Sequence, residues 1–276
     1  RKNMPVKVAI NGFGRIGRNI LRAIIESKRK DLEVVAINDL GSTKVNAHLL
    51  EFDSVHGKFA GNIKTTKDSI IIEGMEIEVT SIKKPTALPW ENIDVAMECS
   101  GIFTDREKAA SHLKNGSSRV LISAPSKDAD KTIVYGVNHQ TLTKNDIVVS
   151  NASCTTNCLS PVVKVLHEKI GIRRGFMTTI HSYTGDQPVL DTMHDDFYRA
   201  RAANLSIIPT TTGAAKAVGL VLPELEGKLD GFAVRVPTPN VSVVDLTFEA
   251  LRETSSIEIN EEIHKAASTN LRGILG

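Results

Sequence analysis

Cysteine is scarce in this chain: 276 residues hold only Cys99, Cys154 and Cys158. A sparse, odd-numbered set suits a reducing compartment and excludes a disulfide framework. Cys154 and Cys158 stand four apart with no further ligands at metal-site spacing, so no metal is expected. Aromatic residues make up 4% of the chain, and the net charge is +2. There is neither an aromatic platform nor a basic stripe, which argues against nucleic acid and an anionic membrane as main partners. No run of about 18 apolar residues occurs, which excludes a transmembrane helix. Arg1-Lys2-Asn3-Met4 leads into a strand-like run and not into a signal-peptide core. Internal repeats and low-complexity linkers are also missing. What remains is an ordinary globular composition, 41% hydrophobic and 24% charged. It is spread over a length that favours two domains.

The first half alternates strands with helices. Val6–Ile10 is a compact apolar strand. It runs into Asn11-Gly12-Phe13-Gly14-Arg15-Ile16-Gly17-Arg18, and then into a helical pattern from Asn19 to Ser27. In this G-x-G-x-x-G turn, Gly12 permits the tight bend, Gly14 admits a pyrophosphate, and Gly17 lets helix and strand pack closely. The helix N-terminus then faces the phosphates. A second strand, Glu33 to Asp39, ends in an acid 22 residues after Gly17. A carboxylate there accepts from ribose hydroxyls and repels a 2′-phosphate, so NAD is expected over NADP. Lys44–Glu51 reads as a helix. Ser69–Glu73 and Glu76–Ser81 read as a hairpin about Gly74. Val95–Gly101 reads as a buried strand in which Cys99 is an inert core thiol. Arg106–Leu113 reads as an amphipathic helix and Arg119–Pro125 as a strand. The alternation implies a doubly wound parallel sheet of Rossmann type, with its ligand at the carboxyl ends of the strands.

After residue 150 the pattern changes. Ser150-Asn151-Ala152-Ser153-Cys154-Thr155-Thr156-Asn157-Cys158 joins the strand Ile147–Val149 to a helix expected over Leu159–Ile170. A cysteine at such a junction sits near free N–H groups and the positive end of a helix dipole, which favour a thiolate. Cys154 is therefore a candidate nucleophile. Phe176–His181 reads as a strand ending in a histidine, a candidate base. Ser182–Ser206 has little periodicity, and a stretch of that length is usually functional or interfacial. Thr210–Lys216 is a small-residue turn suited to an anion. Gly231–Val236 and Val241–Leu251 read as strands joined by Pro237–Asn240, suggesting an antiparallel sheet. Ile257–Thr269 reads as an amphipathic helix. Domains are expected over 1–152 and 153–276. The second is an α+β domain with a mostly antiparallel sheet.

Five stretches resemble glyceraldehyde-3-phosphate dehydrogenases: NGFGRIGR at 11–18, SNASCTTNC at 150–158, HSYTGDQ at 181–187, TTTGAAKAVG at 210–219 and RVPTPNVSVVDLT at 235–247. The resemblance runs in order from about Val6 to the last residue. It implies a glycolytic oxidoreductase that converts glyceraldehyde 3-phosphate, NAD and inorganic phosphate through a thioester. Cys154 would be the nucleophile. His181 would lower its pKa and handle the hydroxyl proton. Gly12, Gly14, Arg15, Ile16, Gly17, Asp39, Lys83 and Ser123 would meet the cofactor. Thr184 and Arg235 would hold the substrate phosphate, with Asp186 positioning the arginine. Ser153, Thr155, Thr212 and Gly213 would hold inorganic phosphate, with help from Arg199. The family works as a cytoplasmic homotetramer, with the Ser182–Ser206 segment at its core.

Three departures accompany the resemblance. The chain stops at Gly276, where the family usually continues with further strands, an asparagine at the nicotinamide and a final helix. Thr192-Met193 stands where many NAD-specific members have Leu-Pro, and Tyr198 replaces a frequent arginine. The alternatives are an erythrose-4-phosphate dehydrogenase, which hydrolyses its thioester, and an inactive NAD-binding fragment.

Overall fold

A computed structural model describes residues 4–276. They form two compact units. One ends at Thr132 and takes in Leu142–Asn151; the other comprises Ile133–Thr141 and Ala152–Gly276.

The first unit is built on a nine-stranded sheet. Its centre is the strand Val6–Asn11, flanked by Leu32–Asn38 on one side and Ile93–Glu98 on the other, both parallel to it. Beyond Ile93–Glu98 lie Ser117–Ile122, Val148–Ser150 and Lys131–Thr132, still parallel. Beyond Leu32–Asn38 lies Met75–Thr80, also parallel, followed by Ser69–Ile72 and Ile63–Thr65, which are antiparallel. Strand order reverses at Val6–Asn11, which opens a crevice at the carboxyl ends. The central strands are buried on both faces, so they read as unbroken apolar runs. Val8, Ile10, Val34 and Ile37 join Leu21 of the helix Arg15–Glu26 in one core cluster. The expected hairpin is present, and Glu73 and Gly74 both take positive φ, the conformation of a tight two-residue turn.

The stretch Arg106–Leu113 departs from expectation. Only Arg106–Ala109 is α-helical, and Ala110–Asn115 winds on as a 3-10 helix ended by left-handed Gly116. The tighter winding accompanies the burial of His112, whose ring reaches Glu98.

In the second unit, the helix Cys154–Lys169 begins at Cys154 itself, five residues before the apolar periodicity signals it. Its Leu159, Val163 and Leu166 pack with Ile172, Met177 and Leu229 of the sheet. Val134 and Val137 enter the same cluster, which explains why Ile133–Thr141 belongs to this unit. The four-stranded sheet runs Ile208–Thr211, Leu229–Val236, Ile172–Ser182, Val243–Ala250. Leu229–Val236 and Val243–Ala250 are not neighbours: Ile172–Ser182 lies between them, parallel to the first and antiparallel to the second. The sheet is mostly antiparallel, as expected, though its last two strands in sequence do not pair with each other. The short Pro237–Asn240 connection spans an intervening strand.

Candidate active site

Cys154 is the first residue of a 16-residue helix. Ser153 caps that helix, its hydroxyl accepting from Thr156 N–H at 3.0 Å. Ala152, just before the cap, is buried with φ +57, a left-handed conformation for a residue with a Cβ. Such strain collects where a functional side chain must be aimed.

The exposed Cys154 Sγ lies 3.1 Å from Nε2 of His181, on the strand Ile172–Ser182. Hydrogen bonding to His181 holds the thiol below its ordinary range. Burial opposes this, while the charge of His181 and the bonds from Thr155 add to it. The other ring nitrogen, Nδ1, is 2.7 Å from the Ser182 carbonyl. Arg235 Nη1 donates to the same carbonyl at 2.9 Å and so comes within 2.8 Å of Nδ1. A carbonyl can accept twice, so both donors converge on Ser182 O, and Nδ1 carries its proton. Arg235 is half-buried, and its Nε has no partner among the described residues. A half-buried, always-charged guanidinium with a free N–H suits an oxyanion.

A second anion-suited place adjoins the helix start. Thr156 Oγ1 donates to the Ala214 carbonyl at 3.1 Å, tying the helix to the turn that follows Ile208–Thr211. In that turn the Thr212 hydroxyl accepts from Ala214 N–H at 3.2 Å. A Cβ added at Gly213 would meet nothing within 4 Å, so the backbone there stands open.

One expected contact is corrected. Asp186 pairs with Arg199 Nη1 at 2.7 Å, and Arg199 Nε donates to Thr210 Oγ1 at 2.9 Å. Asp186 reaches Arg235 only through its charge. With Nε and Nη1 on these partners, Arg199 braces the long loop. Thr184 uses its N–H and hydroxyl on Gln187 Oε1. Cys158 is a poor nucleophile, because burial and the neighbouring Cys154 push its thiol up.

In the first unit, a cavity of about 540 Å³ lies at the strand ends, lined by Asn11, Gly12, Gly14, Asp39, Lys83 and Ser100 among others. Gly12 has φ +88, and a Cβ there would fall 2.5 Å from Ser100 N and Cα. A Cβ at Gly17 would fall 2.2 Å from the Gly12 carbonyl, whereas one at Gly14 meets nothing within 4 Å. The helix start at Gly14 has no side-chain cap and no acid in its first turn. Its dipole and N–H groups therefore remain for an anion. Asp39 accepts from Phe13 N–H at 2.8 Å and Gly41 N–H at 3.0 Å, which fixes its carboxylate beside the glycine turn. These features fit a dinucleotide. Arg15 turns its guanidinium to Asp53, and Ile16 is exposed, so what both offer a pyrophosphate is main chain. Ser123 bonds to the Cys99 thiol, which burial nevertheless pushes up to about 11.

Sequence reasoning missed Asn11, Asn38 and Glu98, which end three adjacent strands beneath this cavity. The available signal was a polar residue closing each apolar run.

A glycine-turn dinucleotide unit and a unit carrying a histidine-activated thiol define a class: nicotinamide-dependent, aldehyde-oxidising dehydrogenases. Residues 6–106 match the NAD binding domain of glyceraldehyde 3-phosphate dehydrogenase, and residues 153–276 match its C-terminal domain. The chain belongs to the glyceraldehyde-3-phosphate dehydrogenase family. It is 68% identical over 273 residues to the glyceraldehyde-3-phosphate dehydrogenase of Cereibacter sphaeroides, covering 99% of this chain and 82% of that one. The namesake enzymes of Xanthobacter flavus and Geobacillus stearothermophilus are 66% and 56% identical, with the same coverage.

Proposed function

We propose that this protein oxidises D-glyceraldehyde 3-phosphate to 1,3-bisphosphoglycerate with NAD and inorganic phosphate, through a thioester on Cys154. The carrying observation is the 3.1 Å contact between Cys154 and His181 at a helix start. An aldehyde releases hydride poorly until a nucleophile adds to it. The Cys154 thiolate forms a C–S bond to the carbonyl carbon, and the former carbonyl oxygen takes a proton from His181. Nε2 then removes that proton as the C–H electron pair departs, leaving a thioester. Bound NAD supplies the hydride acceptor. Ser182 O keeps the imidazole oriented through Nδ1. Thr184 and Arg235 hold the substrate's own phosphate. Ser153, Thr155, Thr212 and Gly213 hold the inorganic phosphate. That phosphate attacks the thioester carbonyl and Cys154 leaves as thiolate, so an acyl phosphate is kept and no hydrolysis is needed.

The protein acts in the cytoplasm, where unpaired thiols stay reduced. It acts as a homotetramer that covers the apolar side chains of the Ser182–Ser206 segment. Among the described residues no helix is long and apolar enough to cross a membrane.

The test follows nicotinamide reduction by absorbance, with glyceraldehyde 3-phosphate and NAD, with and without phosphate. Turnover that requires phosphate is expected. Turnover indifferent to phosphate would assign the chain to a thioester-hydrolysing relative such as an erythrose-4-phosphate dehydrogenase. NAD binding without turnover would leave a binding protein only.

A further inference from the structure

Four parallel strands lie side by side under the dinucleotide cavity in the order Met75–Thr80, Leu32–Asn38, Val6–Asn11, Ile93–Glu98. Each closes on a polar residue, and the register makes neighbours of Thr80 and Asn38, Asn38 and Asn11, Asn11 and Glu98. Their side chains form one hydrogen-bonded row. Thr80 Oγ1 donates to Asn38 Oδ1 at 2.9 Å, Asn38 Nδ2 to Asn11 Oδ1 at 2.8 Å, and Asn11 Nδ2 to Glu98 Oε2 at 2.6 Å. Every donor points the same way, towards Glu98.

Both ends are pinned by backbone groups that cannot reverse. Ile82 N–H donates to Asn38 Oδ1, and the Ile82 carbonyl accepts from Asn38 Nδ2, each at 2.9 Å. At the far end Glu98 Oε1 accepts from Ser100 N–H at 2.8 Å and from the Ser100 hydroxyl. Its Oε2 is also 2.8 Å from Nε2 of the fully buried His112. The carboxylate thus meets four donors, and only a group that accepts at both oxygens satisfies them. A glutamine of the same shape would turn its NH₂ either on Ser100 N–H or on the Asn11 amide. Asn11 cannot flip to receive it unless Asn38 flips, and Ile82 forbids that.

Asn11, Asn38, Ile82 and Ser100 line the cavity; Glu98 and Thr80 do not. We propose that Glu98 is a positioning residue for the dinucleotide, anchoring the Asn11 end of the asparagine row and the Ser100 turn that floor its site. The assignment rests on NAD as the occupant of this cavity. It acts on cofactor affinity and leaves the thiol chemistry of Cys154 alone.

The test compares the parent protein with Glu98→Gln, Thr80→Val and the double variant. NAD Kd is read by calorimetry, folding by thermal melting, and Cys154 reactivity by alkylation. Parent protein that does not bind NAD would sink the occupant, and the positioning role with it. With binding established, Glu98→Gln is expected to raise Kd about tenfold and Thr80→Val about threefold. The double variant should be no worse than about tenfold, because one row is broken once. KM for NAD should rise with kcat held within about twofold. Folded Glu98→Gln with the parental Kd, or single effects that simply multiply, would overturn the proposal. If Glu98→Gln does not fold, Glu98→Asp decides: the shortened carboxylate still accepts but cannot reach Asn11 and Ser100 together, and an unchanged Kd rejects the role.

Discussion

Cys154 has two sources of activation, the helix dipole and His181, and among its local contacts the hydrogen bond to His181 lowers its pKa most. A hydrogen bond to the charged form lowers a pKa, so its removal must raise one. In His181→Asn the midpoint of the alkylation rate against pH is expected to move up into the ordinary thiol range. The iodoacetamide rate at neutral pH should fall about tenfold for each unit of that move. An unmoved profile would leave the dipole as the activator. The glycine turn permits a sharper contrast. Gly17→Ala puts a methyl 2.2 Å from the Gly12 carbonyl and should unfold or displace the helix. Gly14→Ala meets no protein atom within 4 Å. Its stability should stay within about 0.5 kcal/mol of the parent, while NAD affinity falls at least about tenfold because the methyl occupies the pyrophosphate's place. Urea melts and calorimetry on both variants separate the two effects. Equal NAD affinity in Gly14→Ala would move the pyrophosphate elsewhere.

The helix Cys154–Lys169 carries two separable attachments. Ser153 caps it, and Ser153→Ala should cost about 1 kcal/mol in urea unfolding. Thr156 ties it to the Thr212–Gly213 turn through Ala214 O. Thr156→Val keeps the shape and drops that bond. The KM for phosphate should then rise about threefold or more with Cys154 alkylation unchanged; slowed alkylation instead would mean the helix start itself had moved. That a helix follows this cysteine was legible, because a strand, a run of small polar residues and an apolar period stand next to one another in the sequence; its start at Cys154 was not, because the period begins only at Leu159. Legible too were the strand, turn, helix and acid of the dinucleotide unit, whose apolar run, glycines and helical period sit within a few residues of each other. Other features were not legible. Asn11 and Glu98 bond across 87 positions, and only the sheet register brings them together. Asp186 was expected at Arg235 but sits on Arg199, inside a loop with no period to place it. Arg106–Leu113 carries helical spacing, yet His112 is drawn inward to Glu98 and the helix tightens to 3-10. At His112 a buried polar contact outweighed the local pattern.

The chain enters its second unit at Ile133, leaves after Thr141 and returns at Ala152, so neither unit is one uninterrupted stretch. Val134 and Val137 are buried in the second unit's core and bind this excursion there by ordinary apolar packing. The second unit also carries surface that a lone chain handles badly. Met193 is 98% exposed and Phe197 86%, with Val189, Leu190 and Leu205 each above two thirds. Scattered apolar residues are normal on a surface, but five large ones within one loop make a patch that seeks a partner. The loop is held in shape without one. Asp191 accepts from Ala202 N–H at 3.0 Å, Thr192 N–H reaches Ala200 O at 3.0 Å, and Arg199 clasps Asp186. A pre-shaped apolar loop loses little entropy on docking, and a second copy of the same chain is its most available partner. The homotetramer proposed above predicts a four-chain particle in sedimentation at micromolar concentration. Met193→Asp with Phe197→Asp places charge in the contact and should shift the particle to smaller species. Neither residue touches Cys154 or His181, so the alkylation profile should not change. A parent that sediments as a single chain would show that this loop is covered by something else, and the homotetramer would have to be given up.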